Sequence, residues 1–385
     1  MTRKLILDLD TGIDDALAIA YALGSPEVEL IGITATYGNV LMKDSVRNSL
    51  AVLDALGADS VPVYPGLPHS STAEDFAVLE ISAFIHGRNG LGEAETTPSR
   101  RSATTTSAVD FIIEASRRYG EELVYVPTGP LTNLAAALER DPALAGRLRV
   151  VLMGGALTVS GNVSPWAEAN INQDPDAADA VLRSGIDATM VGLDVTLQTL
   201  LTYEHTRRWR DLGTPAGTFL ADMTDYYIRA YETTAPGLGG CGLHDPLAVG
   251  VAVDPGLVTT LPINLQVDVE GPTRGRTIGD VARLNDPRKT SRVAVGVDVD
   301  DGVDSDLGAL LGGGGVGGHD DGHAPGGQLG HALPPPVPGI VDDDDPHVGG
   351  HRVVVGVDGG GDGLDGGRAV GQDVVGHGED AAGRL

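Results

Sequence analysis

Across residues 1–300, short apolar runs alternate with stretches of helical periodicity. Leu5–Leu7 reads as a buried strand, Gly12 as a turn and Ala16–Leu23 as a helix. Leu30–Tyr37 reads as a second strand, Ser45–Leu56 as a helix and Val61–Tyr64 as a short strand. Residues 69–104 are polar and glycine-rich and predict a loop region with short helical pieces. Beyond them the pattern predicts helices at Ala108–Tyr119, Leu131–Glu139, Asp176–Ser184, 214–234 and His244–Val253. Strands are predicted at Leu123–Pro127, Leu148–Met153 and Ala188–Gly192. Late alternation at Ile263–Val269 and Arg292–Val299 predicts two strands at a sheet edge. Strands alternating with helices imply an α/β fold, an open and mostly parallel sheet flanked by helices.

The densest chemistry lies at the first strand–helix junction. Asp8, Asp10, Asp14 and Asp15 fall within eight residues, where the strand delivers its carboxyl end. In an open α/β sheet that edge is the usual ligand position. A helix N-terminus favours acids and accounts for Asp14 and Asp15. It does not account for Asp8 and Asp10. Carboxylates so crowded raise one another's pKa unless a cation neutralises them, and hard oxygen donors suit Ca²⁺ or Mg²⁺.

The vocabulary changes near Asp300. From Asp301 to Leu385 there is no Lys, Phe, Trp, Tyr, Met, Cys, Asn or Thr, while Gly, Asp, Val, Ala, His and Pro dominate. Such a segment buries too little apolar surface to offset its ordering entropy, so 301–385 is expected to be a disordered tail. Its restriction to residues with GC-rich codons suggests out-of-frame translation. Its six histidines are spaced too irregularly to mark a metal site.

Composition narrows the partners. The 385 residues carry a formal charge of -28, which argues against nucleic acid and anionic membranes. The single Cys241 excludes an intrachain disulfide framework. The N-terminal apolar run stops at Asp8, too short for a signal peptide, and no apolar stretch approaches membrane-spanning length. A cytoplasmic protein is expected.

Five further stretches fall at strand ends or in loops near that edge. They are Thr36-Tyr-Gly-Asn39, His86-Gly-Arg-Asn-Gly-Leu-Gly92, Thr128-Gly-Pro-Leu-Thr-Asn133, Asn162 with Glu168-Ala-Asn170, and His244-Asp-Pro246. Singly, each reads as a cap or a turn. Together with Asp8-Leu-Asp-Thr-Gly-Ile-Asp-Asp15, Met153-Gly-Gly155 and Asp174-Pro175, in this order and spacing, the chain resembles the inosine-uridine preferring nucleoside hydrolases. The resemblance runs from Lys4 to Val299.

That resemblance implies cleavage of the N-glycosidic bond of ribonucleosides, purine or pyrimidine, with Ca²⁺ at the sheet's carboxyl edge. It implies Asp10, Asp15 and Asp245 as metal ligands through carboxylates, and Thr128 through its carbonyl. Asp10 would also take a proton from the attacking water. Asp14, Asn162, Glu168 and Asn170 would grip the ribose, with Asn39 beside it. His244 would protonate the leaving base, and His86, Tyr227 and Tyr231 would contact it. Asp8 would orient the loop without binding metal. Ala169 departs from the family, many of whose members carry Phe there. The resemblance also implies a homodimer or homotetramer.

Two other functions fit parts of the pattern. Leu7-Asp-Leu-Asp-Thr11 nearly matches the opening motif of haloacid-dehalogenase-type, Mg²⁺-dependent phosphatases. That chemistry needs a lysine beside the phosphate, and Lys4, Lys43 and Lys289 are poorly placed. The other is a non-catalytic nucleoside- or calcium-binding protein. An EF-hand is excluded, because Ile19 stands where its bidentate Glu is required.

Overall fold

The computed structural model describes residues 2–297. The expectations for the 301–385 tail, including its reading frame and histidines, lie outside the described residues.

The strands are β1 (Arg3–Leu9), β2 (Val28–Ala35), β3 (Val63–Pro65), β4 (Leu123–Pro127), β5 (Arg149–Met153), β6 (Asp187–Val191), β7 (Leu200–Leu201), β8 (Cys241–Gly242), β9 (Val258–Ile263), β10 (Leu265–Val267), β11 (Thr277–Gly279) and β12 (Ser291–Val297). Eight form one sheet in the order β3-β2-β1-β4-β5-β6-β12-β9. All neighbours are parallel except β12 and β9. The small pairs β7–β8 and β10–β11 stand apart from it. The α-helices are α1 (Ile13–Gly24), α2 (Met42–Ala55), α3 (Glu80–His86), α4 (Ala108–Tyr119), α5 (Thr132–Arg140), α6 (Ala169–Gln173), α7 (Pro175–Arg183), α8 (Leu193–Thr196), α9 (Tyr203–Asp211), α10 (Pro215–Thr234) and α11 (His244–Val253).

The period-2 pleat of β1 feeds two cores. Leu5, Leu7 and Leu9 pack with residues of α1, α2, α10 and α11 on one face. Ile6 packs with Tyr125, Val150 and residues of α4, α5 and α7 on the other. Both faces are covered, which is why β1 reads as a near-continuous apolar run. Asp8 shares the Ile6 face by parity. It is fully buried, and its Oδ1 accepts from Thr34 Oγ1 at 2.6 Å and Asn133 Nδ2 at 2.8 Å. It thereby ties β1 to β2 and to α5.

Strand order reverses between β1 and β4. The crevice at the carboxyl ends of these two strands is the fold's topological switch point. Helices α1 and α11 pack against each other. Arg3, at the start of β1, donates to Ala252 O and Val253 O at the far end of α11. The two helices carry Asp14, Asp15 and Asp245 in their first turns.

Two expectations need correction. The described part of the predicted Arg292–Val299 strand, which ends at Val297, is not at an edge: β12 lies inside the sheet, between β6 and the edge strand β9. The predicted strand Ile263–Val269 is divided. Ile263 ends β9, and β10 turns away to pair with β11, because Asn264 is drawn off to bind Arg283 O and Arg288 O through its Nδ2. Helices α6 and α8 have only five and four residues, too few to leave a period, and α9 is too polar to stand out as a core helix. In α9 only Thr206 and Trp209 are buried.

Candidate functional site

The site begins where β1 ends. Asp10 follows the strand, is fully buried, and accepts the Asn39 backbone N–H at 2.5 Å and its Nδ2 at 3.3 Å. Asn39 belongs to the turn after β2. The chain approaches Asp10 so closely there that a Cβ on Gly38 would collide with its Oδ2. Gly12 gives α1 its start, and its N–H donates to Asp15 Oδ2 at 2.7 Å. Thr128 Oγ1, after β4, donates to Asp15 Oδ1 at 2.7 Å. The Thr128 carbonyl accepts from Asn170 Nδ2 at 2.8 Å and keeps its second lone pair.

From 230 residues beyond Asp15 in the chain, α11 delivers Asp245 to the same place. One carboxylate oxygen from each of Asp14, Asp15 and Asp245 lies within 4.8 Å of the others. Asp10 stands beside this group and acts electrostatically on Asp245. Burial, with repulsion among them, pushes Asp10 and Asp245 well above the usual carboxylate range. Burial raises Asp14 to about 6, and burial with the Asp14 charge raises Asp15 likewise. Among the described residues no lysine or arginine pairs with these acids. Asp14 Oδ1 and Asp245 Oδ2 are buried with no hydrogen-bond partner. Partnerless buried carboxylate oxygens, converging and raised in pKa, fit a hard divalent cation.

A wall of four rings flanks the acids. His86 and Tyr227 have ring centroids 5.3 Å apart, Tyr227 and Tyr231 5.0 Å, and Tyr231 and His244 6.2 Å. Tyr227 OH donates to Asp14 Oδ2 at 3.1 Å, and Tyr231 OH lies 2.6 Å from His244 Nε2. His86 Nδ1 accepts the Ile13 N–H at 3.3 Å, so the ring's proton belongs on Nε2. Burial lowers both histidines to about 4 and keeps them neutral near pH 7.

Other sequence-derived candidates sit differently. Both Glu168 oxygens are engaged: Oε1 accepts from Asn170 N at 2.9 Å, and Oε2 from Gly155 N at 2.9 Å and Ile171 N at 3.2 Å. Glu168 therefore caps α6 and anchors the loop after β5. Asn162 is exposed, and its Oδ1 accepts from Ala169 N at 2.9 Å. Cys241 is buried, which pushes its thiol pKa up and leaves it inert as a nucleophile.

Sequence reading passed over Thr196 and Asp194. Thr196 Oγ1 lies 2.8 Å from His244 Nδ1. Asp194 accepts from Leu157 N at 2.9 Å and Thr158 N at 2.7 Å. Their signal was available: Gly192-Leu-Asp-Val-Thr196 follows β6 at the same carboxyl edge. A separate cavity of about 920 Å³ lies between the 92–95 loop and α10. There Arg210 already pairs with Asp222 and Asp225. No helix among the described residues is long and apolar enough to cross a membrane.

Comparison with known proteins agrees with this geometry. The profile of the inosine-uridine preferring nucleoside hydrolases matches residues 5–304. Uridine nucleosidase 1 of Arabidopsis thaliana is 37% identical over 72% of this chain and 82% of its own length. The pyrimidine-specific ribonucleoside hydrolase RihB of Escherichia coli is 36% identical over 77% of this chain and 94% of its own. A purine-preferring ribonucleoside hydrolase structure from Gardnerella vaginalis superposes with a TM-score of 0.79 at 68% identity, covering 81% of this chain and 98% of its own. With its acids gathered at the switch point of a mostly parallel sheet, this chain belongs to the inosine-uridine preferring nucleoside hydrolase family and is a nucleoside hydrolase.

Proposed function

We propose that this protein hydrolyses the N-glycosidic bond of ribonucleosides to ribose and free base, with Ca²⁺ as cofactor and purine ribonucleosides preferred. One observation carries the reading: acids with partnerless buried oxygens stand beside a wall of neutral aromatic rings. A polyhydroxylated sugar suits the first surface and a flat base the second. The purine preference rests on 68% identity to the Gardnerella vaginalis enzyme, against 36–37% to the uridine and pyrimidine enzymes.

Asp15 and Asp245, two of the three converging acids, would hold the ion with Asp10 and the Thr128 carbonyl beside them, and Asp14, the third, would face the sugar. When bound, Ca²⁺ supplies Lewis-acid help, orienting sugar hydroxyls and easing deprotonation of water. Asp10, its pKa raised by burial, accepts the proton of the attacking water. The water oxygen bonds to the anomeric carbon, and the glycosidic electron pair leaves with the base. Asp14 Oδ1 is free to accept from a ribose hydroxyl, and Asn39, Asn162, Glu168 and Asn170 would line the sugar's surroundings. The nearby carboxylates stabilise positive charge as it develops on the ribose ring. His244 would supply, through Tyr231, the proton that the leaving base takes up, and His86 and Tyr227 complete the base-side wall.

Initial rates of ribose release from inosine and uridine test this, with chelator and with Ca²⁺ restored. Chelator-sensitive release, faster with inosine, is expected. Release of phosphate from phosphate esters, or nucleoside binding without turnover, would replace the reading. The phosphatase reading finds no lysine at the acids among the described residues: Lys4 pairs with Glu29, Lys43 is exposed on α2, and Lys289 Nζ donates to Leu284 O.

A further inference from the structure

The Gly192–Thr196 segment enters no step above, yet it ends on a fully buried hydroxyl facing a site residue. Thr196 closes α8 and has 0% exposure. Its Oγ1 makes one hydrogen bond, 2.8 Å to His244 Nδ1. The opposite ring nitrogen, Nε2, lies 2.6 Å from Tyr231 OH. Thr196, His244 and Tyr231 thus form one line of three groups. A Cβ on Gly242 would sit 2.7 Å from His244 Nε2, so the ring is also confined from the side.

The direction of hydrogen bonding along this line follows from satisfying buried protons. A neutral imidazole carries a proton on one nitrogen only. Suppose Nδ1 carried it. The ring would then donate to Thr196, and the Thr196 hydroxyl proton would be buried with no acceptor. Suppose instead that Nε2 carries it. Thr196 then donates to Nδ1, Nε2–H donates to the Tyr231 oxygen, and every buried proton has a partner. The Tyr231 hydroxyl proton then points away from His244, on the side where Tyr227 borders the same hydroxyl. Tyr231 is only half-buried and feels the charges of Asp14 and Asp245, so it borders the acid cluster.

We propose that Thr196 is a positioning residue that fixes the His244 tautomer and so aims the Tyr231 hydroxyl proton at the departing base. The inference rests on the reading above that His244 and Tyr231 serve the base. Tyr231 then supplies a hydrogen bond to nitrogen as the glycosidic electron pair arrives there. His244 Nε2–H steadies the tyrosine oxygen from behind, and no proton has to leave Thr196. The contribution grows as charge develops, so it lowers the barrier more than it tightens binding.

The test uses Thr196→Val, which keeps the branched shape and loses the hydroxyl, and Thr196→Ser, which keeps the hydroxyl. Inosine is compared with 4-nitrophenyl β-ribofuranoside, whose leaving group needs no hydrogen bond. For Thr196→Val, kcat on inosine should fall about tenfold or more with KM within about twofold, and kcat on the nitrophenyl riboside should hold within about twofold. Thr196→Ser should restore inosine turnover. Equal losses on both substrates, or unchanged inosine turnover, overturn the proposal. Histidine ¹⁵N NMR of the wild-type protein, with the His244 signal assigned by its loss in His244→Asn, reads the tautomer directly. Protonated Nε2 is expected, and protonated Nδ1 overturns the proposal even if the valine variant does not fold. The underlying reading fails separately, if Tyr231→Phe slows both substrates equally.

Discussion

Thr128 Oγ1, just beyond β4, donates to Asp15 Oδ1, in the first turn of α1, at 2.7 Å. This bond crosses the switch point and joins its two sides. The family resemblance implied a role for the Thr128 carbonyl, and the structure gives its hydroxyl a bond of its own. Partners that orient a metal ligand tune the affinity of the site. Thr128→Val should weaken Ca²⁺ binding by about 10–100-fold, and Thr128→Ser should retain it. Titration calorimetry reads the difference, and equal affinity in both variants would remove the hydroxyl from the site.

Asp245 reaches the cluster from the opposite end of the described chain. Its Oδ2 is buried without a partner. Asp245→Asn preserves the shape and removes one negative charge. The variant should lose bound Ca²⁺, measured by elemental analysis, together with nucleoside turnover. Full metal content in that variant would refute the ligand assignment.

Gly38 is fixed by proximity. A side chain there would strike Asp10 Oδ2 and displace either the carboxylate or the turn that holds it. Gly38→Ala should lower kcat on inosine by about 100-fold or more, as a small misplacement of the reacting groups does. Wild-type turnover in this variant would show that Asp10 has freedom to move without consequence.

The Tyr231–His244 contact predicts dependence on the leaving group. His244→Ala and Tyr231→Phe should each slow inosine more than 4-nitrophenyl β-ribofuranoside. Matching losses in kcat on the two substrates would exclude both residues from leaving-group chemistry.

Asp8 gives a prediction about stability. Burial raises its pKa from 3.8 to about 6. A folded-state value above the unfolded one means the contribution is full below pH 3.8 and is lost as pH rises through 6. Two pKa units correspond to about 3 kcal/mol at most. In chelator, Asp8→Asn should be more stable than wild type at pH 7 by up to about 3 kcal/mol, and the gap should close near pH 4. Denaturant unfolding at both values checks this, and a gap independent of pH would show that burial does not set the charge of Asp8.

The sequence by itself determined the alternation of strands and helices, because buried parallel strands and one-sided helices leave different apolar periods. It determined that Asp8, Asp10, Asp14 and Asp15 crowd one junction, since four acids within eight residues cannot separate. It also supplied the motif order through which the family was legible. It could not order the strands: β12 lies beside β6 and inside β9, a matter of long-range pairing that local pattern does not encode. Nor could it show that Glu168 spends both oxygens on backbone N–H groups, or that Thr196 stands behind His244. Those facts depend on which side chains meet across distant segments, and only the packing of α6, α8, α10 and α11 around the sheet decides that.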